Sequence, residues 1–167
     1  MTSTRSATEA DAAAIARIYN EGIADRLATF ETEPRSPDDI AHILKERTGR
    51  WPTVVVERDG TVIAWAGASE YRRRPCYAGV AEFSVYVSRA DRGAGAGRAA
   101  MEALVAGCEQ RGLYKLVSRV FPENEASRKL LARVGFREVG TYRRHAKLDG
   151  EWRDTVIVER LVGEAAD

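Results

Sequence analysis

The chain has 167 residues, 44% apolar and 31% charged, with a formal net charge of +1 at neutral pH. That length supports a proper core in one domain spanning 1–167, and the near-neutral balance gives no reason to expect nucleic acid or an anionic membrane as partner. The cysteines Cys76 and Cys108 and the histidines His42 and His145 lack metal-type spacing; no metal is expected, a disulfide scaffold is disfavoured, and a reducing cytoplasm is the expected location.

In chain order, residues 3–7 read as a short first strand. Thr8 and Asp11 form a capping-box pattern ahead of Ala12, Ile15, Ile18, Tyr19, Ile23 and Leu27, which predicts an amphipathic helix to about residue 26. Residues 28–34 form a polar loop carrying Phe30. Ser36 as N-cap and Pro37 at the first helical position start a second helix that ends near Gly49. After Trp51-Pro52 the period becomes strand-like. Residues 53–57 and 61–69 flank Asp59-Gly60, the strongest short hairpin signal. Residues 80–87 form a further strand.

A helix from about Gly95 to Gln110 carries Met101, Leu104, Val105 and Cys108 on one face and stops at Gly112. Then follow a strand over 115–121, a helix capped by Asn124 and ended by Gly135, and two closing strands, about 136–147 and 152–161, joined through Asp149-Gly150. The tail over 163–167 is expected to fray. Three consecutive strands in the middle of the order β-α-α-β-β-β-α-β-α-β-β exclude a regular βαβ repeat and favour an α+β or mixed sheet. No apolar run reaches about 18 residues, and neither a signal peptide nor an internal repeat is read.

The stretch from Val85 to Met101 is the most informative. It combines a buried strand, a turn with Gly93, Gly95 and Gly97 between Arg92 and Arg98, and the start of a helix. Small residues at a helix N-terminus leave backbone N–H groups free to close around a phosphate or pyrophosphate. A merely tight strand-to-helix turn has a similar composition. Gly95-x-Gly97-x-x-Ala100 also fits a dinucleotide fingerprint, but the loop comes late, after a meander, and the nearest candidate for the acid expected about 20 positions later is Glu123. No Gly-Lys-Ser/Thr follows, so a P-loop kinase is not indicated.

The order of elements, with Arg92-x-x-Gly95-x-Gly97 between the fourth strand and third helix, resembles the GNAT acyl-CoA N-acyltransferases over nearly the whole chain. Residues 29–34 (Thr-Phe-Glu-Thr-Glu-Pro), 81–88 (Ala-Glu-Phe-Ser-Val-Tyr-Val-Ser), Asn124-x-x-Ser127 and 148–154 (Leu-Asp-Gly-Glu-Trp-Arg-Asp) look like the phosphinothricin/arsinothricin acetyltransferase branch. Tyr71-x-Arg73-Arg74-Pro75-Cys76-Tyr77 leans toward its arsinothricin-resistance members. The resemblance implies a central twisted mixed sheet of about seven strands flanked by about four helices, acetyl-CoA as cosubstrate with coenzyme A as product, and a homodimer. It implies that main-chain groups of Gly93, Ala94, Gly95, Ala96, Gly97 and Arg98 hold the pyrophosphate and that Val85 and Val87 run alongside the pantetheine arm. The Val87 amide would polarise the thioester oxygen and Asn124 would bind the arm near its thiol end. Tyr86, Arg92 and Ser127 complete the expected cofactor set.

Glu82 interrupts an apolar strand three residues before Val85. A carboxylate there is expected to be partly desolvated and to act as general base toward the amine; an outward-facing residue paired with an arginine is the alternative. Arg72, Arg73 and Arg74 suit forked bonds to a carboxylate and a second anion. Arg72 and Arg74 match the basic pair of the family's substrate loop, and Tyr77 its tyrosine. Strand alternation would put Arg72 and Arg74 on one side with Arg73 opposite. Thr29 and Phe30 are expected to form the other wall.

One departure concerns the leaving thiolate. Many GNAT enzymes carry a tyrosine seven residues after the helix-capping asparagine, where this chain has Leu131. Tyr114, Tyr142 and His145 are unranked candidates for general acid. Cys76 is weighed as an acyl carrier and set behind direct transfer in a ternary complex. The acceptor expected is a small anionic amino acid such as arsinothricin or phosphinothricin. Methionine sulfone or sulfoximine, and a regulatory acyl-CoA-binding module without catalysis, are the alternatives.

Overall fold

A computed structural model describes residues 1–47 and 49–166, among which there are seven strands and four α-helices. In chain order these are β1 (Thr2–Ser6), α1 (Ala12–Asp25), α2 (Pro37–Arg47), β2 (Thr53–Arg58), β3 (Thr61–Glu70), β4 (Val80–Val87), α3 (Ala96–Gln110), β5 (Lys115–Val120), α4 (Glu125–Arg133), β6 (Arg137–Leu148) and β7 (Glu151–Leu161). They form one mixed sheet of order β1-β2-β3-β4-β5-β7-β6, in which only β4 and β5 are parallel neighbours. The expected α+β fold is thus observed. Asp167 lies outside the described residues, and the tail before it makes a single 3-10 turn over Gly163–Ala165. The turn follows Val162, which is buried and donates its N–H to Tyr114 O at 2.9 Å.

The local chemistry explains the boundaries. The Thr8 N–H donates to Asp11 Oδ2 at 2.8 Å, but the first turn, Glu9–Asp11, is a 3-10 helix and α1 proper begins at Ala12. Asp11 also takes both Arg5 guanidinium nitrogens at 2.8 Å, and this forked pair holds its carboxyl below the usual range. For α2, Ser36 and Asp39 exchange side-chain-to-backbone bonds of 2.9 and 3.1 Å, a complete capping box. Asp59-Gly60 and Asp149-Gly150 have positive φ at both residues, 50° and 78°, then 50° and 82°. Those are the primed turns that match the twist of a hairpin.

The two faces of the sheet are covered differently. On one, Met101, Leu104 and Cys108 of α3 and Leu131 of α4 pack against β2 through β5 and Val156 and Val158 of β7. Burial pushes the Cys108 thiol up to about 12. On the other, Ile15 and Ile18 of α1 and Ile40 and Leu44 of α2 pack on Val55, Val62, Trp65 and Tyr86. That second layer stops at β4. Over β5, β7 and β6 the same face carries a cleft instead. No described helix is long and apolar enough to cross a membrane.

Candidate functional site

The site begins where two parallel strands part. β4 and β5 pair at Val80–Lys115, Ala81–Leu116 and Glu82–Val117 and then separate; β4 continues beside β3, and β5 beside β7. Ser88 N–H donates to Ile63 O at 2.8 Å. Antiparallel alternation then directs the backbone of Tyr86, Ser84 and Glu82 toward β3, and that of Phe83, Val85 and Val87 toward the edge that β5 has left. Phe83 O accepts from Ser118 Oγ at 2.9 Å across the gap. Val85 and Val87 beyond it offer the edge of a strand without a strand beside it, a place where an extended chain bearing amides adds on.

That edge leads into the glycine turn. Gly93 and Gly95 have φ of 82° and 89°, and nothing lies within 4 Å of where their Cβ atoms would stand. The first helical bond of α3 runs from Ala99 N–H to Gly95 O at 3.1 Å. The N–H groups of Ala96, Gly97 and Arg98 precede it and have no intrahelical partner. Gly97 serves packing instead: a Cβ there would stand 2.9 Å from Leu130 Cδ2 and 3.3 Å from Val87 Cγ2.

The flanking arginines are less free than their spacing suggests. Arg92 pairs with Asp25 at 2.8 Å and Arg98 with Glu102 at 2.7 Å. Arg89 and Arg92 together hold the Asp25 carboxyl below its ordinary range. Lys129 and Arg133 of α4 also line this end and were not anticipated. They are distant in sequence and look like ordinary exposed helix residues.

Two lobes make the cleft, sharing Ala28, Val85 and Tyr86. The lobe of about 590 Å³ runs between the Val85–Val87 edge, the glycine turn and α4. Asn124 and Ser127 line it. Asn124 Oδ1 accepts from Ser127 N–H at 3.2 Å, and Asn124 Nδ2 donates to Leu27 O at 3.3 Å, so this side chain also ties α4 to the loop after α1. Ala94 sits exposed in the turn, and Leu131 is buried in the core. The lobe of about 480 Å³ holds Glu82, Thr29, Phe30 and Arg72 together. Glu82 is half-buried, and Phe30 meets Phe121 edge-on at 5.0 Å.

Several expectations change. Tyr86 spends its backbone on β3, and its ring stacks on Trp65 at 5.3 Å, so close over Gly22 that a Cβ there would stand 2.7 Å from it. Burial pushes the Tyr86 hydroxyl up, and its part at the cleft is that of a wall. Arg72 and Arg74 do not follow strand alternation, because β3 ends at Glu70 and Arg74 N–H turns back to Arg72 O at 2.9 Å. Only Arg72 lines the cleft. Its guanidinium lies 5.0 Å from the Tyr71 ring, and a hydrogen bond with Tyr71 raises its pKa, reinforced by the nearby Glu82 charge. Arg74 lies over Tyr77 at 5.8 Å, and neither is among the lining residues. Of the three acid candidates, Tyr114 donates to Cys76 O at 3.3 Å away from the cleft, whereas Tyr142 and His145 line it. Cys76 is exposed and lines neither lobe.

A pyrophosphate followed by an amide-bearing arm ending in a thioester fits this geometry: an open glycine cradle, then an unpaired strand edge, then a half-buried carboxylate. Residues 15–136 match the acetyltransferase (GNAT) family. The chain is 35% identical to the phosphinothricin N-acetyltransferase of Alcaligenes faecalis, over 90% of this chain and 77% of that one. It is 27% identical to the L-methionine sulfoximine/L-methionine sulfone acetyltransferase of Salmonella typhimurium, over 97% and 95%. A crystal structure of a GNAT superfamily phosphinothricin acetyltransferase from Sinorhizobium meliloti in complex with acetyl-CoA superposes with a TM-score of 0.92 at 32% identity, covering 99% of this chain and 90% of that one.

Proposed function

This chain belongs to the GNAT acetyltransferase family and is an acetyl-CoA-dependent N-acetyltransferase of the phosphinothricin and methionine sulfoximine type; we propose that it acetylates the α-amine of a small amino acid with a second anionic group, arsinothricin or phosphinothricin, by direct transfer in a ternary complex. The observation that carries this reading is the shared cleft: Glu82 and Arg72 line one lobe, and the free Val85–Val87 edge runs from it to the glycine cradle. Acetylation neutralises the amine of such a glutamate mimic, a detoxifying change.

The bound cosubstrate supplies an acetyl group activated as a thioester. The Ala96, Gly97 and Arg98 amides, beside Gly93, Ala94 and Gly95, are assigned to its pyrophosphate, with Arg92 and Arg98 adjacent. Val85 and Val87 are assigned to the arm, with Asn124 and Ser127 across the lobe, and the Val87 N–H to the thioester oxygen. Glu82 takes the proton from the acceptor's ammonium group, directly or through one water, so that a neutral amine is presented for attack. Thr29 and Phe30 form the wall against the acceptor's aliphatic part, and Arg72 binds its carboxylate. Arg74 and Tyr77 stay beside this loop, outside the lining. Among the described residues no cysteine lines either lobe, which supports direct transfer over an acyl-enzyme.

Arg72→Ala is expected to raise the acceptor KM by about 10- to 100-fold, the loss of one forked charged contact. The KM for acetyl-CoA stays unchanged. The reverse pattern would place Arg72 at the cofactor. Acceptor identity is tested by kcat/KM measured side by side for arsinothricin, phosphinothricin and methionine sulfoximine. The two with an acidic far end are expected to lead, and a preference for methionine sulfoximine would move the assignment to that acceptor.

The homodimer belongs to the same reading. Light scattering of the purified chain tests it. The unpaired thiols of Cys76 and Cys108 suit a cytoplasmic location.

A further inference from the structure

We propose that Arg119, together with His145 and the Thr155 hydroxyl, forms a second anion site that reads the far, acidic end of the acceptor; the proposal rests on the acetyltransferase reading and specifies how that site selects its substrate. The uncovered face of the sheet carries it. On β5, alternation sends Leu116 and Val120 into the core and Val117, Arg119 and Phe121 to the cleft, which all three line. Among the described residues the Arg119 side chain has no ion pair or hydrogen bond, whereas Arg92, Arg98 and Arg128 all pair with carboxylates.

Thr155 on β7 supplies the second observation. It is 1% exposed, lines the same lobe, and its Oγ1 has no hydrogen-bond partner. A buried hydroxyl without a protein partner calls for one from water or a ligand, and at the cleft wall a ligand oxygen can supply it. The third is a bulge in β6. Tyr142 pairs with Thr155 and Ala146 with Arg153, so β6 spends three residues where β7 spends one. Arg144 sits at φ 47° within it, its N–H donating to Asp154 Oδ1 at 2.7 Å. Bulges re-aim side chains beside active sites. Here Tyr142 and His145 stack at 4.7 Å and both line the cleft.

The register fits an acceptor with two acidic ends. Ser69, Glu82 and Val117 stand side by side on β3, β4 and β5. β3 leaves Glu82 toward the Ala81 end, and β5 passes it toward the Ser84 end. Arg72 and Arg119 therefore stand on opposite sides of Glu82. Arg119 lies two residues beyond Val117, about 7 Å along the strand, a span that a glutamate-length side chain bridges. Arg72 takes the α-carboxylate, Glu82 the amine and Arg119 the distal anion.

The test is the acceptor KM of wild type, Arg119→Gln, Arg119→Lys and Thr155→Val, measured with phosphinothricin, which ends in a phosphinate, and with methionine sulfone, which ends neutral. Arg119→Gln is expected to raise the KM for phosphinothricin by about 10- to 100-fold and leave those for methionine sulfone and acetyl-CoA within about twofold. Arg119→Lys restores part of the loss, and Thr155→Val raises the same KM by about 3- to 10-fold. An Arg119→Gln variant that shifts both acceptors alike, or neither, overturns the proposal. Wild-type turnover of methionine sulfone alone does so too. Wild-type enzyme inert toward every amino acid would overturn the acetyltransferase reading itself.

Discussion

Glu82→Gln is expected to lower kcat by about 10²- to 10⁴-fold at neutral pH, the range over which a positioned general base contributes. The KM for acetyl-CoA is expected to stay within about twofold, because the groups assigned to the cosubstrate lie further along the cleft. The substitution keeps the shape of the side chain and its place on β4, opposite Ser69 and Val117. No ion pair of Glu82 is broken among the described residues, so stability is expected to hold while turnover falls. Steady-state kinetics beside a thermal melt separates the two effects. Unchanged kcat would remove Glu82 from the chemistry and leave it as a half-buried strand residue.

The second large effect is expected at the cradle. Gly95 has φ 89° immediately before α3, a conformation that a β-branched residue reaches only under strain. Gly95→Val therefore costs about 1–2 kcal/mol in backbone strain. It also fills the open space where a Cβ now meets nothing within 4 Å. The added bulk stands in the turn immediately before the amides of Ala96, Gly97 and Arg98. The KM for acetyl-CoA is expected to rise by about 10- to 100-fold while the acceptor KM stays constant, since losing one or two charge-assisted backbone contacts is of that size. The opposite split would locate the pyrophosphate elsewhere.

These expectations depend on parts of the molecule that were unequally legible in the sequence. Hairpins at Asp59-Gly60 and Asp149-Gly150, the Ser36 cap and the glycine turn follow from local chemistry: each is a backbone conformation that few residues adopt. Val85 and Val87 came from the family resemblance, because which edge of β4 stays open is decided by where β5 departs from it. Arg72 lines the cleft as expected, but the shared side read for Arg72 and Arg74 does not hold. Alternation was carried past Glu70, where β3 has already given way to a turn.

Tertiary information was needed for the rest. In Lys115–Val120, Arg119 reads as an ordinary outward strand residue, since nothing nearby says that the helical layer ends at β4. His145 lies in an exposed, charge-rich strand with no apolar rhythm from which a bulge could be inferred. The pairing of Arg92 with Asp25 joins residues 67 positions apart. With Arg92 and Arg98 so engaged, the anion binding proposed for the glycine turn rests more on its backbone amides than on its flanking charges.

The most direct measurement of the central claim is release of coenzyme A from acetyl-CoA by the purified chain, followed with a thiol reagent across a panel of amino acids and confirmed by mass spectrometry of the product. The account predicts release that requires an amino acid, is greatest for those with a second acidic group, and yields the N-acetyl derivative with intersecting initial-rate patterns. Tight acetyl-CoA binding without turnover of any amino acid would contradict it and mark the chain as an acyl-CoA-binding regulatory module.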